Sequence, residues 1–264
     1  MNNTIKHFAI FLLVSVVLLV SASALTAGPN NAGTGTDVTY GDTAWSNPGN
    51  IVAVGTPYAT VTLSPGDDSH YLQATNYSFN IPAGATINGI QVVINRSGGQ
   101  SLGYGFRDQA VYLVKNNVVQ TSGNNKATGT TWPTSFTTAT YGSANDLWGL
   151  SWAPVDINNA NFGVALSAHS NLIVSTKTAT VDYMQITVTY TPPVSSCTCP
   201  GVNTNWAIDL SEHCVLNANC NIGTGNLSFI NTGYFTINAT LNTSNFAAPP
   251  ANSIIWITSN GRWY

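Results

Sequence analysis

Strict alternation of apolar and polar residues is the feature that most constrains the fold. In VDYMQITVTY at 181–190, Met184, Ile186 and Val188 form an apolar set with polar residues between them. Successive side chains of a β-strand point to opposite faces, so the pattern predicts a strand with one face in a core. The run FGVALSA at 162–168 predicts a second strand of the same sheet system.

Short alternating runs of this kind recur along most of the chain, and turn signals rich in Gly, Pro, Asn and Asp separate them. The predicted strands cover residues 51–54, 60–63, 71–74, 77–81, 90–95, 111–114, 118–121, 162–168, 172–175 and 182–190. The fold class is therefore predicted to be all-β, with a jelly-roll-like antiparallel β-sandwich at 37–191. A barrel is the alternative, which strand patterns separate poorly from a sandwich.

Alternation also assigns faces within the predicted strands. In GIQVVINR, Ile90, Val92 and Ile94 are predicted to point inward. Asp182 falls on the same inward face as Met184. Because an unpaired buried carboxylate costs several kcal/mol, we expect Asp182 at the end of its strand, accepting backbone or Trp hydrogen bonds.

The pattern changes near the C-terminal quarter of the chain. GTGNLSF at 223–229 is echoed by NTGYFTI at 231–237, and each copy reads as a short strand after a glycine turn. This repetition predicts a short β-solenoid-like segment at 203–264. Such a stack needs at least about three repeats to bury a core. The segment is therefore expected to be truncated, or to rely on disulfides or on a partner at its open end.

Four cysteines lie within 24 residues, at Cys197, Cys199, Cys214 and Cys220. In an exported protein this clustering indicates two disulfides. A bridge between Cys197 and Cys199 is sterically awkward, so each is expected to pair with Cys214 or Cys220. A zinc site that adds His213 is the alternative.

The N-terminus has the pattern of a secretory signal peptide at 1–24, with an apolar run at 8–20 and small residues before a cleavage site after Ala24. A permanent anchor and a retained pilin-type helix are the alternatives. No later apolar segment has spanning length, so no transmembrane segment is expected after cleavage, and the expected localisation is extracellular or cell-surface. Residues 25–36 are predicted to be a flexible lead-in, and 192–202 a linker containing Pro and Cys.

Charged residues make up only 6% of the chain, and its net charge is -3. Nucleic-acid binding depends on clustered Lys and Arg, so this composition argues against a nucleic-acid partner. Solubility is expected to come from Asn, Thr and Ser, and from glycans if the host modifies Asn-x-Ser/Thr triplets. The candidate glycosylation sites are Asn76, Asn95, Asn226, Asn238 and Asn242.

Three stretches of the first domain together resemble a known module: IPAGATINGIQVVINR, the loop and strand YGSANDLWGLSWAPVDINNANFGVALSA, and the closing VDYMQITVTY. Residues 45–190 resemble an extracellular β-sandwich module of large secreted archaeal and bacterial surface proteins, also found in some viral structural proteins. Residues 206–241 resemble the start of the parallel β-helix regions that often follow it. The resemblance implies a surface or adhesive role and supplies no catalytic residues.

Aromatic side chains suggest a carbohydrate site. Trp148 and Trp152 lie on one loop with Asp146, and flat aromatic rings beside hydrogen-bonding groups are typical of sugar capture. The alternative is that these Trp residues close one end of the sandwich core.

Two other motifs suggest metal or hydrolase chemistry. Asp67 and Asp68 form an adjacent carboxylate pair after a Pro-Gly turn, which predicts either a calcium site or a solvated turn, and no other cofactor is expected. GQSLG at 99–103 matches the nucleophile-elbow pattern, followed by Asp108 or Asp146 and then by His169. No helix is predicted after this motif, so we interpret it as a turn and expect no catalytic residue.

These features predict a secreted, non-catalytic structural or adhesion protein of the cell surface. Its expected partners are other surface proteins or glycans, or further copies of itself in a homo-oligomer or filament. A carbohydrate-binding module of a polysaccharide-degrading system is the alternative. An enzyme of the β-helix lyase kind is disfavoured, because the solenoid has few coils and no cluster of Asp, Lys or Arg.

Overall fold

The computed structural model describes residues 23–98, 104–193 and 195–264, and it confirms the predicted all-β class. The chain divides into two compact units, Met1–Pro193 and Val194–Tyr264. The predicted signal peptide lies outside the described residues except for its last two positions. Within the described ranges, no helix has the length and apolar character that a membrane span requires.

The first unit contains ten strands in residues 23–98 and 104–193. They are β1 Leu25–Asn31, β2 Thr34–Val38, β3 Ala59–Leu63, β4 Tyr71–Thr75, β5 Thr86–Ser97, β6 Phe106–Lys115, β7 Val118–Val119, β8 Thr137–Gly142, β9 Gly163–Ser170 and β10 Lys177–Thr191. A 3-10 turn at Pro48–Val52 and the short helix α1 at Pro154–Ile157 complete the unit.

The strand order is that of a jelly roll. One five-stranded sheet has the order β1-β10-β5-β8, with β3 also paired to β10, and the other has the order β2-β4-β9-β6-β7. All of these neighbours are antiparallel. Successive strands along the chain repeatedly cross from one sheet to the other. This gives the orders β3-β10-β5-β8 in one sheet and β4-β9-β6-β7 in the other. The predicted jelly-roll sandwich is therefore confirmed.

The predicted inward faces of the two longest strands are also confirmed. Ile90, Val92 and Ile94 of β5 are fully buried, as are the alternating apolar residues Met184 and Ile186 of β10. Met184 and Ile186 lie opposite Ile94 and Val92 of β5, so the two strands form the centre of one core face.

Asp182 is buried as predicted, but it lies within β10 and not at the end of the strand. The pairing of β10 with β5 shifts register between Val181 and Tyr183, which marks a bulge at this residue. The Asp182 carboxylate accepts hydrogen bonds from the Gly55 backbone N–H (2.7 Å) and from Asn95 Nδ2 (3.1 Å). The bulge gives the buried carboxylate the partners that a regular ladder position would not offer.

The predicted flexible lead-in at 25–36 is wrong. Its residues form β1 and most of β2, because β1 pairs with the outer edge of β10 and β2 pairs with β4. The ladder uses only backbone groups, so small polar side chains do not prevent pairing.

Three predicted strands of the sandwich are absent from the described structure. Residues 51–54 begin within a 3-10 turn, and 172–175 form a bend. Residues 77–81 form no ladder, although Tyr77, Phe79 and Ile81 are all buried in the core. The alternating sequence pattern of this segment therefore reflects alternating burial of its side chains, without pairing to another strand.

The second unit is a short parallel solenoid, as predicted. In residues 195–264 its strands are β11 Trp206–Asp209, β12 Val215–Leu216, β13 Cys220–Ile230, β14 Tyr234–Ile237, β15 Thr240–Phe246, β16 Ile254–Ile257 and β17 Arg262–Trp263, with a 3-10 turn at Leu210–Glu212. Two parallel sheets have the orders β11-β13-β15-β17 and β12-β14-β16.

Asparagine side chains link successive coils of this solenoid. Asn205 Oδ1 accepts from the backbone N–H of Asn226 (2.9 Å), and Asn219 Oδ1 accepts from that of Thr240 (3.0 Å), each 21 residues further along the chain. The repeated offset shows that one coil takes about that length. The Asn-rich composition of this segment thus has a structural role.

The disulfide prediction is confirmed. Cys197 bonds to Cys214 and Cys199 bonds to Cys220. No cysteine is free, so no thiolate remains for the alternative zinc site. His213 stacks instead on Tyr234, with ring centroids 4.1 Å apart. The second unit begins before the predicted 203, because the cysteines of the predicted linker 192–202 are bonded into it.

Candidate ligand-binding cleft

The tryptophan loop predicted to bind sugar does not present an aromatic platform. Trp148 is only 1% exposed, and its Nε1 donates to the Ile90 carbonyl (2.9 Å). Trp152 donates to the Leu147 carbonyl (3.1 Å) and packs edge-on against Phe162. Trp148 therefore closes the core, as the alternative expects, and cannot offer its ring to a sugar. Trp152 is half-buried, and sugar binding at this loop stays a prediction.

Asp146, the third member of that predicted site, is also engaged. It accepts from the Trp148 backbone N–H (2.8 Å) and pairs with Lys126 Nζ (2.6 Å). Partial burial acts to raise the pKa of this carboxyl, but the bonds from Lys126 and Trp148 outweigh it and hold the pKa below its usual value. Asp146 thus fixes the loop conformation.

The two carboxylates of the predicted calcium pair take different partners. Asp67 accepts from the Ser64 backbone N–H (3.0 Å), whereas Asp68 binds His169 Nδ1 (2.6 Å). Within the described ranges, the one group of three convergent thiol, imidazole or carboxylate ligands is Cys197, Glu212 and Cys214, whose sulfur atoms form a disulfide. Calcium binding at Asp67 and Asp68 stays a prediction.

The five candidate glycosylation sites differ in accessibility. Asn76, Asn226 and Asn242 are exposed, and Asn238 is half-buried. Asn95 is half-buried, and its Nδ2 donates to the buried Asp182 (3.1 Å), so modification would leave this nitrogen only its remaining N–H for that bond. Glycosylation at all five sites stays a prediction.

Two members of the hydrolase-like motif have structural partners. Its segment 99–103 lies outside the described residues. Asp108 is buried and accepts from Trp132 Nε1 (2.8 Å) and Tyr141 Oη (3.0 Å), and it forms an ion pair with Arg96 (3.2 Å). His169 is held by Asp68. Asp108 and His169 form no hydrogen bond or ion pair with each other.

A different surface has the features of a ligand site, namely the outward face of the sheet β2-β4-β9-β6-β7. Across this face Thr36 of β2 lies opposite Gln73 of β4, Gln73 opposite Ala165 of β9, and Ala165 opposite Tyr112 of β6. Directly opposed residues of antiparallel strands point to the same side, so these four side chains form one row.

One part of this face is a cleft of ≈ 420 Å³, which we call the Gln73 cleft. Small-molecule sites typically occupy about 300–1,000 Å³. The residues that line it are Thr34, Thr36, Val38, Gln73, Thr75, Asn76, Asn117, Ala160 and Asn161. None of these side chains is charged, and most offer a hydroxyl or an amide.

Main-chain hydrogen bonds hold the rim of the cleft in place. The Asn117 N–H donates to the Asn161 carbonyl (3.0 Å), and the Asn76 N–H donates to the Ala160 carbonyl (2.8 Å). Asn116 and Asn117 both have positive φ, as the two-residue turn between β6 and β7 requires. The turn and the two loops therefore form a preorganised wall.

Gln73 is the unusual residue of the cleft. It is 4% exposed, and its Oε1 is a buried atom that has no hydrogen-bond partner among the described residues. A buried polar atom without a partner costs about 1–3 kcal/mol. Because the terminal amide of Gln rotates in a broad torsional well, the oxygen can turn toward a ligand in the cleft.

Three tyrosines lie next to the cleft on the same face, at Tyr40, Tyr71 and Tyr112. Tyr40 is 36% exposed and stacks on Tyr71, with ring centroids 4.2 Å apart. Burial, together with the neighbouring Tyr40 and Tyr112 phenols, raises the pKa of Tyr71 well above its usual value. The Tyr71 ring therefore stays neutral at physiological pH, and the three rings together add aromatic surface beside the cleft.

Comparisons with known proteins do not identify a family for this chain. No protein-family model and no curated protein matches the chain. Among solved structures, the apo form of a cyclase from Fischerella sp. is 10% identical in sequence, with a TM-score of 0.28. The match covers 69% of this chain and 93% of the cyclase chain. The Agl-KA catalytic domain matches with 12% identity, 87% and 48% of the two chains and a TM-score of 0.25. Such low values support no argument about fold or function, and the resemblance to surface modules stays a prediction.

Proposed function

We propose that this chain is a non-catalytic extracellular adhesion protein that binds a neutral carbohydrate in the Gln73 cleft. The observation that supports this best is the unpaired amide oxygen of Gln73 in an uncharged, preorganised cleft. A ligand hydroxyl would supply the hydrogen bond that the protein does not.

The chemistry of the lining favours a sugar over other ligand classes. Hydroxyl groups both donate and accept hydrogen bonds, which matches the threonine hydroxyls and the asparagine and glutamine amides of the cleft. A charged ligand would need an opposite charge to offset its desolvation, and the lining contains none. An apolar ligand would leave the amides unpaired.

Other features support an extracellular and non-catalytic role. The two disulfides are typical of proteins that fold in an oxidising compartment. The buried Asp108 and the half-buried His169 are each bound to groups other than a nucleophile. Binding of surface glycans by such a domain would produce adhesion without any reaction.

An array of neutral glycans, probed with the full chain, tests the proposal. We expect binding that is lost in Gln73→Met, which removes the amide and keeps a similar side-chain volume. The matched control is Gln185→Met, because Gln185 lies on the outward face of the other sheet and bonds to Asn31. Absence of binding to every neutral glycan, or equal binding by Gln73→Met and wild type, would exclude the cleft as a carbohydrate site.

A further inference from the structure

We propose that the Gln73 cleft and the tyrosine cluster beside it (Tyr40, Tyr71 and Tyr112) are adjacent subsites for one linear oligosaccharide chain. This inference rests on the proposed function and adds that the ligand is longer than one sugar unit.

The two regions are continuous. Val38 lines the Gln73 cleft and also packs against the apolar cluster that contains Tyr71, Ala110 and Ala165. Ala165 lies opposite both Gln73 and Tyr112, so a side chain of only one carbon separates the amide from the third tyrosine. Ala165 and Ala110 are buried beneath their neighbours, and Val38 and Tyr112, which pack on this cluster, join the cleft to the rings.

The spacing along β4 suits successive sugar units. Tyr71 and Gln73 are two residues apart on the same face of β4, which corresponds to about 6.8 Å along the strand. This is comparable to the length of one pyranose unit. A unit held by the Gln73 amide would therefore place its neighbour over the tyrosines.

The two subsites offer complementary contacts. The cleft supplies hydroxyl and amide groups, which fix the orientation of a sugar through hydrogen bonds. Tyr40 and the half-buried Tyr112 supply ring surface for the apolar C–H face of the next unit, together with phenol groups at the edge. A single sugar can use one set of contacts, whereas a chain can use both.

Titration calorimetry of the full chain with sugars of increasing length tests this inference. The probes are glucose and N-acetylglucosamine with their linear malto-, cello- and chito-oligosaccharides. We expect a tetrasaccharide to bind about tenfold more tightly than its monosaccharide, as one additional aromatic contact would produce. Tyr112→Ala and Tyr40→Ala should remove this gain and leave monosaccharide binding unchanged.

Tyr183→Ala is the matched control, because Tyr183 is half-buried on β10 of the other sheet. Tyr183→Ala should keep the full increase in affinity from monosaccharide to tetrasaccharide. Melting curves should show that all three variants fold. If monosaccharide and tetrasaccharide bind equally, or if the gain survives in both Tyr112→Ala and Tyr40→Ala, the two-subsite inference is wrong while the proposed function stands. If none of these probe sugars binds at any length, the two-subsite inference is wrong, and the glycan array decides the proposed function separately.

Discussion

Replacing Gln73 by Met is expected to stabilise the first unit while it abolishes ligand binding. The wild-type side chain leaves Oε1 buried without a partner, and relief of that desolvation cost is worth about 1–3 kcal/mol. Met is unbranched and similar in length, and volume-conserving replacements in packed sites usually cost less than about 1.5 kcal/mol. The free energy of unfolding should therefore rise by roughly 1 kcal/mol.

Urea unfolding at neutral pH measures this change, with the linear dependence on denaturant extrapolated to water. Gln185→Met provides the reference and should change stability by no more than about 0.5 kcal/mol, as expected at the surface. Addition of the bound glycan should stabilise wild type and the Gln185 variant, but not Gln73→Met. A loss of 1 kcal/mol or more in Gln73→Met would show that its amide is satisfied in the folded protein, and would refute the reasoning.

Three further predictions concern other parts of the chain. Asp108→Ala leaves the Arg96 charge buried without its partner and should lower the free energy of unfolding by about 3–5 kcal/mol in urea titrations; a loss below about 1 kcal/mol would contradict the buried ion pair. Asp146 has a lowered folded-state pKa, so its contribution to stability is present above the ordinary Asp pKa of about 3.9 and is lost as pH falls through the folded value. The deficit of Asp146→Asn relative to wild type should therefore be larger at pH 6 than at pH 2, and an equal deficit would refute the assignment. Replacing Cys199 and Cys220 by Ser opens a loop of 21 residues and should destabilise the second unit by about 3 kcal/mol; protease resistance of the first unit should not change.

The core of the sandwich could be predicted from the sequence, because the alternation that places side chains in the core is visible within each strand. Alternation in β5 and β10 identified Ile90 and Met184 as inward residues, and both are fully buried. The same rule failed to identify β1, since that strand contributes backbone hydrogen bonds to β10 and few buried side chains. Pairing of β1 depends on the free backbone groups of β10, which are available only once the sheet has formed.

The candidate cleft could not be predicted, because its residues come together only through strand order. Thr36, Gln73 and Tyr112 lie on three strands that are distant in sequence, and a fourth strand separates the last two. The available sequence signal was YLQAT at 71–75, a strand in which all five residues, including Gln73, are buried. The Trp loop gave a stronger sequence signal, but Trp148 belongs to the core, since a large aromatic ring fits a core as well as a sugar site.

Gln73 combines an unpaired buried polar atom with a position in the lining of the cleft. Asp108 and Asp182 are buried carboxylates, and each accepts two or more hydrogen bonds. Five buried side-chain atoms in the described ranges have no partner, and of these only Gln73 Oε1 belongs to a residue that lines the cleft. Of these five atoms, Gln73 Oε1 is therefore the one whose desolvation cost a ligand in the cleft would offset. Such a cost is expected where a ligand completes the hydrogen bond, because function commonly requires a site that is not optimised for stability.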